Sequence, residues 1–260
     1  MINVDEYLKE KEKQEQEKRN FDMSEEEDSI KKVITVYGEK GTGKTTSVFS
    51  FKGKKVCISF DHKSTLIKNN FYNGSKDIRV YDGLRYYDES IKEITKSSVI
   101  TYEYLKDLIE KQYSKPENYP DWIIVDGLEI VAVICEMIMR NNHNLGPFEA
   151  FANFGYWKER KILMNNLHSI YLKHCKKGII YTTYTKDDQV IFNSEVTQSK
   201  KIPKWFGSVL EQTDIVLKTG VIDMGENKFK FKVLCESSKF DDEIKTGQSY
   251  LVTKDGLVED

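Results

Sequence analysis

One eight-residue run limits this chain more than any other feature. Gly38-Glu39-Lys40-Gly41-Thr42-Gly43-Lys44-Thr45 matches G-x-x-x-x-G-K-[ST] at every fixed position. The preceding VITVY reads as a buried strand, and the following TTSVFSF can open a helix. A strand, a glycine-rich turn and a helix in that order form a phosphate-binding loop. Glycine lets the backbone turn tightly enough to aim successive N–H groups inward, and the helix N-terminus adds its positive end. Lys44 is placed to neutralise β- and γ-phosphates, and the Thr45 hydroxyl to ligate Mg²⁺, with Thr46 closing the nucleotide-binding run. The expected ligands are ATP and Mg²⁺.

Around this loop, short β-rich runs alternate with helical patterns from Lys32 onward, which predicts a mostly parallel sheet covered by helices. The runs are Val33–Tyr37, Val56–Phe60, Ile78–Tyr81, Trp122–Val125 and Gly178–Thr183, with helical spacing over Thr101–Tyr113 and Phe148–Lys177. Later strands are expected at Ile215–Thr219 and Lys228–Leu234, turning at Asp223–Asn227, and an edge strand at Tyr250–Val252. Trp122-Ile123-Ile124-Val125-Asp126 is an apolar strand ending in a carboxylate. Downstream of a complete phosphate loop, Asp126 is expected to hold Mg²⁺ through a coordinated water.

Charge divides the chain. Residues 1–30 hold eleven acidic and five basic side chains, leaving a net +4 on the remainder. We read 1–30 as an acidic appendage and 31–260 as the catalytic domain. A mildly basic body is compatible with nucleic acid without demanding it. The four cysteines stand far apart with no C-x-x-C pair, so buried free thiols in a reducing compartment are expected. The longest apolar stretch, Trp122–Met139, is broken by Asp126, Glu129 and Glu136, which excludes a membrane span. The cytoplasm, or a host's cytoplasm for a viral chain, is the expected location.

The loop type excludes protein kinases. GTP switches carry Asp-x-x-Gly where this chain has Asp126-Gly127-Leu128-Glu129, so Thr185-Lys186-Asp187-Asp188 is a chance echo of a guanine-reading motif. The order of landmarks resembles the RecA-like P-loop ATPases. It is most similar to the compact phage- and archaeal-virus-type nucleotide-binding ATPases related to recombinases and single-strand-annealing proteins. The resemblance covers Lys32 to Phe240 and rests on the loop, VCISFD (56–61), WIIVDGLE (122–129), GIIYTTYTKDD (178–188) and FKVLCESSKF (231–240). It implies a RecA-like α/β fold, helices on both faces of a mostly parallel sheet, a late β-hairpin, and a homo-oligomer without membrane attachment.

Departures bear on mechanism. The family often ends its second strand in Asp-x-Glu, with the glutamate activating water, but here Asp61-His62-Lys63 puts lysine there. Tyr184 stands where a Gln or His senses the γ-phosphate. The late Lys-x-Arg appears as Ser237-Ser238-Lys239, so the resemblance gives Lys239 a role on a neighbour's nucleotide. Two carboxylates compete as catalytic base. Asp61 is favoured, at a strand's C-terminal end facing the phosphate crevice. Glu129, at the start of a helix, is the competitor that would otherwise cap it. The connections after the fourth and fifth strands correspond to loops that touch single-stranded DNA in RecA-like proteins. One holds Phe148, Phe151, Phe154 and Tyr156, and the other holds Lys200, Lys201 and Lys204 as phosphate contacts. The expected function is ATP hydrolysis coupled to single-stranded DNA in recombination, annealing or replication. A nucleotide-dependent scaffold with little hydrolysis and a packaging or translocation motor are the alternatives.

Overall fold

The computed structural model describes residues 30–150, 153–192, 195–204, 211–225, 229–240 and 242–260. The acidic appendage lies outside them, apart from its last residue, Ile30.

Eleven strands are described. Nine form one sheet in the order β11-β10-β9-β8-β1-β5-β4-β2-β3. From β8 (Ile215–Asp223) through β1 (Lys32–Tyr37), β5 (Gly178–Thr183), β4 (Trp122–Asp126) and β2 (Lys55–Ser59) to β3 (Ile78–Asp82), every pairing is parallel. Beyond β8 the sheet continues antiparallel through β9 (Phe229–Ser238), β10 (Ser249–Thr253) and β11 (Gly256–Glu259). This α/β architecture with late antiparallel strands is the one the RecA-like resemblance implies.

Because strand side chains alternate faces, the central strands feed two cores. Val33, Ile58, Ile123, Val125, Ile179 and Tyr181 meet α3 (Ile94–Gln112), α4 (Leu128–Asn142) and α5 (Tyr156–Lys173) on one face. On the other face, Ile34, Val36, Cys57, Ile124 and Ile180 meet Val48 and Phe49 of α1 (Lys44–Phe49). A six-residue helix cannot persist alone, and α1 is held by burying Val48 and Phe49 almost completely. Burying two such side chains is worth about 3–6 kcal/mol. The short α2 (Ser64–Phe71) packs beside α1, with the Tyr72 hydroxyl just past its end donating to the Thr46 carbonyl.

Two expectations change in detail. Tyr250–Val252 is a strand but not the edge, because Gly256–Glu259 pairs outside it. The connection containing Lys186–Trp205 is not all loop: β6 (Thr185–Phe192) and β7 (Glu195–Pro203) form a separate two-stranded hairpin. All four cysteines are free and buried, as their spacing implies. Among the described residues no helix is long and apolar enough to cross a membrane.

Candidate functional site

The C-terminal ends of the parallel strands open into one cavity of about 560 Å³, floored by the glycine-rich turn after β1. In open α/β sheets this edge is where ligands bind. The turn needs its glycines. Gly43 sits at φ 84°, and an added Cβ would lie 2.4 Å from the Phe231 ring, so both conformation and space forbid a side chain. The Thr42 hydroxyl lies 2.8 Å from the Glu39 carbonyl and 2.6 Å from Thr219 Oγ1, so β8 braces the loop from the side. No side chain caps α1, whose N-terminus faces the turn.

Lys44 folds back over the loop. Its Nζ donates to the carbonyls of Gly38 at 3.0 Å and Glu39 at 2.9 Å, and lies 4.1 Å from the centre of the Tyr184 ring. Burial pulls its pKa down, while the charges of Asp126, Glu129, Glu39 and Asp61 oppose that shift. A triphosphate would replace those carbonyl and ring contacts with direct charge pairing.

Strand register builds the next layer. Ser59, Asp126 and Thr182 stand side by side across β2, β4 and β5. Asp126 is buried, and hydroxyls surround it: Thr45 at 2.9 Å and Ser64 at 2.8 Å donate to Oδ2, and Thr182 at 2.6 Å donates to Oδ1. Burial raises the Asp126 pKa, and the hydroxyl donors work against that. A hard divalent cation fits this donor set. The Thr45 hydroxyl and the Asp126 carboxylate adjoin at the phosphate turn, and Mg²⁺ commonly takes one or two protein oxygens plus phosphates and waters. Among the described residues there is no cluster of three or more His, Cys, Asp or Glu that would suggest another metal.

The two candidate bases differ. Asp61 is exposed, and its Oδ1 accepts the Lys63 N–H at 3.0 Å, closing the turn between β2 and α2. Glu129 does not cap its helix. Gly127, in a left-handed conformation at φ 115°, starts α4 so that Glu129 reaches across to β5. There its Oε1 accepts from the Thr183 hydroxyl at 2.6 Å and from the Tyr184 N–H. Its Oε2 is buried without a hydrogen-bond partner among the described residues, and Glu129 lines the cavity. A buried carboxylate oxygen left without a donor is costly.

Tyr184 closes the same side. Burial raises its phenol pKa, helped by the charges of Glu129, Asp61 and Asp126. From it the hairpin departs: Thr185 Oγ1 donates to Glu39 Oε1 at 2.9 Å, and Lys201 pairs with Glu39 at 3.3 Å and with Asp187 at 2.9 Å. Lys204 closes the hairpin base through its backbone, its N–H donating to the Tyr184 carbonyl and its carbonyl lying 3.1 Å from Thr183 Oγ1. The Lys200 side chain lies outside the described residues, as does Phe151. Phe148 and Phe154 are strongly exposed on the connection between α4 and α5.

Lys239 is not gathered into the site. It pairs with Asp214 at 2.8 Å, near the start of β8 and therefore at the end of the sheet away from the phosphate turn. Several side chains that the site does gather have no motif to announce them. Thr182 and Thr183 act through a strand end in register with Asp126, Ser64 opens α2, and Phe231 arrives from a distant strand. Only the position of Thr182-Thr183 at the end of an apolar strand could have flagged them.

A glycine-rich phosphate turn and a strand-end aspartate, standing on either side of β5 in a parallel sheet, define a P-loop ATPase domain. The family described as "AAA domain" matches residues 30–255, and the chain belongs to that family. Among solved structures, a KaiC-like protein from the hyperthermophilic archaeon Pyrococcus horikoshii OT3 is similar at 12% identity, over 88% of this chain and 89% of that one, with a TM-score of 0.41. No curated protein matches the chain in sequence.

Proposed function

We propose that the chain binds ATP with Mg²⁺ and hydrolyses it with Glu129, rather than Asp61, orienting and activating water. One observation carries this reading: Glu129 is pinned through Oε1 while Oε2, beside the cavity, has no hydrogen-bond partner among the described residues. A general base needs a fixed position and a lone pair aimed at the water, whereas Asp61 is exposed and tied to its own turn through Lys63 and Ser59. Mg²⁺, held by Thr45 and Asp126, would neutralise charge on the β- and γ-phosphates. Lys44 would leave its carbonyl partners for the phosphates, and Tyr184, released from Lys44, would report their arrival to the hairpin.

The hairpin is the natural output, and single-stranded DNA its proposed partner, as in the recombination and annealing ATPases of phages and archaeal viruses that the landmarks resemble. Supporting this is the direct link from the phosphate turn to the hairpin base through Glu39, Thr185 and Lys201. A DNA phosphate would compete with Glu39 for Lys201, which ties DNA contact to the nucleotide turn. A trans role for Lys239 in an oligomer would require its pair with Asp214 to open. ATP turnover with and without single-stranded DNA, at two salt concentrations, tests the reading. DNA-stimulated turnover that weakens with salt supports it. ATP binding without turnover, with or without DNA, would instead favour a nucleotide-dependent scaffold.

A further inference from the structure

Beyond the phosphate turn, the same cavity extends along α2, and its character changes there. Leu66, Ile67, Asn70 and Phe71 form the face of α2 that lines it, and Phe231 of β9 closes the opposite side. From Ser64, which contacts Asp126, to Phe71 the helix rises about 10 Å, so this end stands well away from the metal-side carboxylates. Leu66 is 60% exposed and Phe71 36%, although a short surface helix would ordinarily turn such residues inward. The Phe71 and Phe231 rings lie 6.4 Å apart, tilted by 57°. Phe231 also abuts Gly43, so an aromatic wall begins where the phosphate turn ends.

We infer that this apolar arm is a nucleobase subsite, in which Phe71 and Phe231 offer stacking faces and the Asn70 amide reads the base edge, favouring adenine over guanine. The inference rests on the reading that the turn holds a nucleoside triphosphate. The occupant follows from continuity: a base covalently joined to phosphates on the turn must lie in the remaining part of one cavity. Its volume is within the roughly 300–1,000 Å³ usual for ligand sites. Stacking suits any base, so selection falls to polar groups. An asparagine amide matches adenine as one donor and one acceptor. Guanine's N1–H and N2–H₂ call for a carboxylate, and the described carboxylates lining the cavity, Asp61, Asp126 and Glu129, all stand at the other end. The guanine-motif echo is no substitute, because Asp187 is paired with Lys201 on the hairpin.

The test measures affinity for ATP, GTP and inorganic tripolyphosphate, each with Mg²⁺, in the full chain and in Phe71→Ala, Phe231→Leu and Asn70→Ala. Leucine at 231 keeps bulk against Gly43 while removing the stacking face. Each phenylalanine variant should lose about five- to 150-fold in ATP affinity, the range that stacking of one base supports. Tripolyphosphate affinity should stay within about twofold, since no base is involved. Asn70→Ala should erase the preference for ATP over GTP. Unchanged ATP affinity in both phenylalanine variants would overturn the subsite. So would parallel losses for ATP and tripolyphosphate, which would mean that the rings act only through the turn. A preference for GTP in the unaltered chain would overturn the role of Asn70. The parent reading fails separately, if tripolyphosphate does not bind or binds equally well to Lys44→Ala.

Discussion

The turn after β2 and the turn after β4 each bring a carboxylate to the same cavity, yet they are built for different work. After β2, Asp61 is exposed and organises its own turn through the Lys63 N–H. After β4, Glu129 is fixed to a neighbouring strand through Thr183 and Tyr184, with one oxygen left over. Both turns precede a helix, and sequence position alone ranks Asp61 first because it follows its strand directly. The comparison teaches that a strand-end carboxylate is not thereby a base. What matters is how the surrounding fold holds it: Asp61 is tied to its own turn, Glu129 to a neighbouring strand.

Variants can break this contrast or sharpen it. Lys44→Ala should have the largest effect, removing MgATP binding and turnover together. Charged hydrogen bonds to the phosphates are worth about 1.5–3 kcal/mol each, and calorimetry should show affinity falling by more than about tenfold. Glu129→Gln should lower turnover by about 10²- to 10⁴-fold with ATP affinity retained, measured as phosphate release at saturating ATP. Thr183→Val removes one of the two bonds that pin Glu129. It should cost about 1 kcal/mol of positioning, or roughly fivefold in kcat with little change in KM. Smallest of all, Lys201→Ala should change DNA-free turnover by less than about twofold, since exposed ion pairs contribute little. The same variant should reduce the salt dependence of single-stranded DNA binding. A larger loss in Lys201→Ala than in Thr183→Val would invert the order and shift weight from the anchored glutamate to the hairpin.

The fold was legible where apolar runs repeat. The five runs from Val33 to Thr183 are parallel strands, and the four that are buried along their length read as unbroken hydrophobic stretches. Asp126 was legible too, because a strand end fixes where its side chain sits. The hairpin was not: Thr185-Lys186-Asp187-Asp188 carries little β propensity, and pairing with the second strand decides its conformation. Glu129 was visible as a residue but not as an anchored one. Its partners, Thr183 and the Tyr184 N–H, lie more than fifty residues away and meet it only through the β4–β5 register. Phe231 is hidden for the same reason, since nothing near it in sequence says that β9 begins beside Gly43.

The contrast between the two turns is decided most directly by single-turnover hydrolysis in Glu129→Gln and Asp61→Asn, at ATP concentrations that saturate each variant. Working above the dissociation constant removes binding from the comparison, so the rate reports the chemical step alone. An anchored Glu129 acting as base predicts at least about a hundredfold slower chemistry in Glu129→Gln, and a change under about threefold in Asp61→Asn. The reverse pattern, with Asp61→Asn slow and Glu129→Gln near the unaltered rate, would contradict the account.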